Sequence, residues 1–106
     1  MTTKTTKTTE EHRERVYEGV AEYVTKNLNL LPESIRSSKN NMNHVISIAT
    51  SILLCKWSLE DPRMHGGFVN AILENNLTQT VGSADKVNRE CIVFYVLIMS
   101  NLGYIQ

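Results

Sequence analysis

Asp61–Asp85 reads DPRMHGGFVNAILENNLTQTVGSAD, and the fold turns on how this stretch divides. Pro62 disfavours a helical Asp61 and so ends whatever precedes it. Gly66 and Gly67 leave bare backbone just before Phe68, and beyond them Val69, Ile72, Leu73, Leu77 and Val81 recur at helical spacing. Gly82 is placed to stop that helix in a left-handed conformation, and Ser83 to cap the next one. The stretch therefore predicts a helix over 67–80, a glycine stop, and a further helix from 84.

Outward from this centre the same reasoning predicts three more segments. Thr8 and Glu11 form a capping box for a helix over 9–27, whose apolar face is Val16, Val20, Tyr23 and Val24. Pro32 suits the first position of a short helical turn over 33–38. Met42, Val45, Ile46, Ala49, Ile52 and Leu53 predict a helix over 41–57, broadened by Ile48 and Leu54 into a stripe that needs cover on two sides. The last helix, 84–101, begins polar and turns continuously apolar from Cys91 to Met99. Ile92, Val93 and Val96 are β-branched and make a buried strand its competitor, but the Ser83 start and the run Ala84, Val87, Cys91 favour helix. Such a helix must be surrounded by its neighbours or by a second subunit. The expected fold is all-α: a compact bundle of four main helices plus a short helical turn, oligomeric, with a mobile Thr/Lys-rich tail at 1–7 and a single domain over 8–106.

At 106 residues, 42% apolar and 21% charged, the chain fits one globular domain. Eleven basic residues cancel eleven acidic ones, which argues against a long nucleic acid as partner, because that affinity rests on an excess of Lys and Arg. Cys55 and Cys91 are far apart and read as buried, reduced thiols. With no apolar segment at the N-terminus and no run of the roughly 20 apolar residues that a membrane helix needs, the expectation is a cytoplasmic protein with no membrane partner.

The central stretch resembles a pattern in small, mostly uncharacterised proteins of tailed bacteriophages and prophages, P-x-G-G-F-L-x-A-V-L-x-N-D-L-x-x-A-x-x-x-A-D-x-x-N-R. Gly66, Gly67, Phe68, Ala71, Leu73, Asn75, Leu77, Ala84, Asp85, Asn88 and Arg89 stand at matching positions. Asn76 replaces Asp, Thr80 replaces Ala, Val69 and Ile72 replace Leu and Val, and Met64 stands at the proline, with Pro62 two residues earlier. Many members also continue past the position of Gln106 into a Gly/Trp-containing segment. The resemblance covers the last third to two fifths of the chain. It implies a phage-type accessory protein in the host cytoplasm and carries no activity with it.

Two groups of residues invite a ligand. Arg63, His65, Gly66, Gly67 and Phe68 combine cationic side chains with a helix start, where unpaired amides and the helix dipole favour an anion and glycines admit it to the backbone. The bland alternative is a glycine turn that reverses the chain. Asn75, Asn88 and Arg89 flank the following turn, where an amide could read a nucleobase edge; the bland alternative is turn satisfaction and an Asp85–Arg89 pair one turn apart. No catalytic constellation, metal-ligand spacing or cofactor motif is predicted. The sequence therefore suggests a non-enzymatic oligomer that sequesters a small anionic molecule, foremost a nucleotide signal of host antiphage defence. The alternative is a protein-binding inhibitor or adaptor acting on a host or phage protein.

Overall fold

The computed structural model describes the backbone of residues 2–102 and the side chains of residues 10–102. Every regular element among them is helical: α1 Thr2–Lys26, α2 Glu33–Arg36, α3 Lys39–Lys56, α4 Gly67–Leu73, α5 Leu77–Ser83, α6 Lys86–Glu90 and α7 Ile92–Asn101, with single 3-10 turns at Leu28–Leu30 and Pro62–Met64. The all-α expectation holds, and the strand alternative for 91–99 does not. α1 begins ahead of the expected start at Thr8. The Thr8 cap and the mobility of the 1–7 tail lie outside the described side chains.

α3 is the axis of the fold. Ser38 caps it by accepting a hydrogen bond from the Asn41 amide at 3.2 Å, so the helix starts at Lys39, before the apolar run begins. Val45, Ala49, Ile52, Leu53 and Leu54 are wholly buried, because α1, α2, α4, α6 and α7 all pack against it. α1 contributes Val16, Val20 and Val24, one turn apart on one face. A cluster of rings joins the outer helices: Tyr23 of α1 lies 6.2 Å from Phe94, Phe94 lies 5.9 Å from Tyr95, and Tyr95 meets Phe68 of α4 edge-on at 5.6 Å. The surrounded helix is thus α3. The more apolar α7 leaves Val93 69% exposed and Val96 46% exposed, so its neighbours within one chain cover only part of its circumference.

Both of the later helices are divided. The predicted 67–80 helix stops at Leu73, because Asn75 adopts φ 60° and closes a left-handed stop: its amide bonds to Ile72 O at 3.2 Å and the Asn76 amide to Ala71 O at 2.9 Å. Asn76 then caps α5 by accepting from the Gln79 amide at 3.1 Å. Gly82 is not the stop. It lies inside α5, and no described glycine has positive φ. Nor does Ser83 cap the next helix: it is the last residue of α5, and Asp85 caps α6 with a 2.7 Å bond from the Asn88 amide. The predicted 84–101 helix breaks at Cys91, whose φ −110° and ψ 12° leave the α region.

α3 ends on the same device as α4. Ser58 has φ 62°, its amide bonds to Cys55 O at 3.0 Å, and the Leu59 amide bonds to Leu54 O at 2.8 Å. A side chain in this conformation costs about 1–2 kcal/mol, which asparagine reduces through local hydrogen bonding and serine does not. Ser58→Gly should therefore stabilise the protein by about 0.5–1 kcal/mol after the entropy of the unfolded glycine is counted, and Asn75→Gly by less. Thermal denaturation of the two variants checks this ordering.

Candidate functional site

Between α3 and α4 the chain is held by a half-buried carboxylate. Glu60, its side chain only 14% exposed, receives Arg13 Nη1 on both oxygens at 3.0 Å and has His65 Nε2 2.9 Å from Oε1. Arg13 Nη2 donates to the buried Ser51 Oγ at 2.9 Å. The carboxylate thus ties α1 to the loop before α4, and Arg13 extends the link to α3. His65 is consequently a member of this cluster and not a free cation beside a ligand site. Arg63 is also engaged: Nη2 lies 2.7 Å from Asp61 Oδ2, on the surface. The side-chain hydrogen bond from Arg63, followed by that from its backbone amide, lowers the Asp61 carboxyl to about 2.

Asn70, one turn into α4, organises the glycine loop. Its Nδ2 donates to Pro62 O at 2.9 Å, to His65 O at 3.1 Å and to Gly66 O at 3.0 Å. In a trans peptide the C=O and the following N–H point in opposite directions. Gathering these carbonyls on Asn70 therefore turns the N–H groups of Arg63, Gly66 and Gly67 the other way. The first of them donates to Asp61 Oδ1 at 2.9 Å, as this geometry requires. Gly66 brings no side-chain cap to α4, and nothing stands within 4 Å of where its Cβ would be. Gly67 differs: a Cβ there would stand in ordinary contact with Ser83 Oγ at 3.4 Å, and a larger side chain would reach α5.

The other predicted site residues divide in two. Phe68 is buried and reaches Asn88 through Tyr95, whose hydroxyl donates to Asn88 Oδ1 at 2.7 Å. Asn88 is itself buried, so its amide satisfies the Tyr95 hydroxyl inside the fold. Asn75 sits at the exposed α4–α5 turn, where its backbone conformation accounts for its amide type. Arg89 donates to Ala84 O at 3.3 Å, while Asp85 lies 3.4 Å from His44 Nε2; the i,i+4 pair predicted between Asp85 and Arg89 is replaced by these contacts. The sequence reading missed Glu60, Arg13 and Asn70. Arg13 and Glu60 are 47 residues apart and leave no spacing signal, whereas Asn70 is legible as a polar residue within an apolar helix, one turn from Gly66.

Burial raises the Cys91 thiol to about 11 and also raises the Cys55 thiol, with Glu60 adding to the latter effect. Neither sulfur is poised as a thiolate. Among the described residues no group of three or more His, Cys, Asp and Glu side chains could hold a metal, and no helix is long and apolar enough to cross a membrane. Comparison with protein-family models, with curated proteins and with solved structures found no match.

Proposed function

We propose that the protein is a non-enzymatic, phage-type accessory protein that captures a small anionic molecule at the Gly66–Gly67 start of α4. The observation that supports this reading is the orientation of the loop. Asn70 holds the His65 and Gly66 carbonyls, which turns the adjoining amides away from it, and the space at Gly66 is open. Outward amides on an uncapped helix start are a general means of holding a phosphate or carboxylate. Arg63, itself largely exposed, lies three residues before Gly66 in a surface ion pair with Asp61, which a ligand anion can exchange for itself at little cost. Phosphate groups of a signalling nucleotide have the matching chemistry. Removing such a signal requires affinity and stoichiometry and no turnover.

Gly66→Ala is the sharper test of this site. The φ of −75° suits alanine and its methyl meets nothing, so the fold should stand while close approach of an anion is hindered. Gly67→Val would confuse the two effects through Ser83. A thermal-shift and calorimetric screen of nucleotides, inorganic phosphate and carboxylates should find a binder whose affinity falls about tenfold or more in Gly66→Ala, the loss of one charge-assisted hydrogen bond. Binding unchanged in both Gly66→Ala and Arg63→Ala would place the site elsewhere. A second reading, an inhibitor or adaptor that binds a host or phage protein, draws on Leu77 and Val93, which are 71% and 69% exposed. Failure of every anion in the screen would favour it.

A further inference from the structure

We draw no further inference here: the strongest candidate, the open hollow of about 550 Å³ along α1 lined by Glu10, Arg13, Glu14, Tyr17 and Glu18, rests on a cluster of acidic side chains, and nothing in the structure shows what would fill it.

Discussion

Phe94→Ala should lower the stability of the fold by about 3–5 kcal/mol, the usual cost of emptying a buried aromatic site. Phe94 has no exposed surface and touches the rings of both Tyr23 and Tyr95, so its removal opens a cavity between α1 and α7 and not at one helix alone. Domains of this size are stable by only about 5–15 kcal/mol, and a loss of this order takes away a large fraction of the total. Urea unfolding should show a lower midpoint with the slope nearly unchanged. A loss below about 1 kcal/mol would mean that neighbouring helices close the space, and that the ring cluster is not what joins them.

Asn88→Ala should cost about 1–3 kcal/mol, because it leaves the Tyr95 hydroxyl buried without its acceptor. Burial also holds that hydroxyl far above its ordinary pKa, so deprotonation offers it no escape. The double variant Asn88→Leu with Tyr95→Phe removes both polar groups together and should recover much of the loss, since an apolar pair leaves nothing unsatisfied. A double-mutant cycle in denaturant measures the coupling. The same variants decide the role of a residue singled out from its motif position. If Asn88→Ala leaves stability intact and abolishes anion binding, Asn88 belongs to the ligand site and the hydrogen bond to Tyr95 is incidental.

Periodicity was sufficient to find the helical segments and most of the core, because Val16, Val20 and Val24 or Val45, Ala49 and Ile52 face inward wherever their helices end. The divisions were harder to read. Gly82 carries the usual residue type for a left-handed stop, yet Asn75 makes that stop seven residues earlier, in the Asn-Asn pair that both ends α4 and caps α5. Cys91 interrupts the final helix with neither glycine nor proline to announce it. At the candidate site, the glycine pair was legible as open backbone, and only Gly66 is open. The charges beside it were misread as available because their partners are contributed by other parts of the chain. His65 depends on Glu60, which Arg13 holds from α1 while Arg13 itself donates to Ser51 of α3.

α4 and α5 are seven residues each, about two turns apiece. Helices this short do not persist alone in water, where about 12–15 residues are needed for even marginal helicity. α1 and α3, at 25 and 18 residues, exceed that length. The glycine loop thus opens a hairpin whose order is borrowed from the body it rests on, and it should be among the last parts to settle during folding. A molecule captured there would be bound only by the completed hairpin, so part of its affinity would be spent on finishing the protein's own assembly. Saturation with that molecule would in turn extend the lifetime of the folded chain.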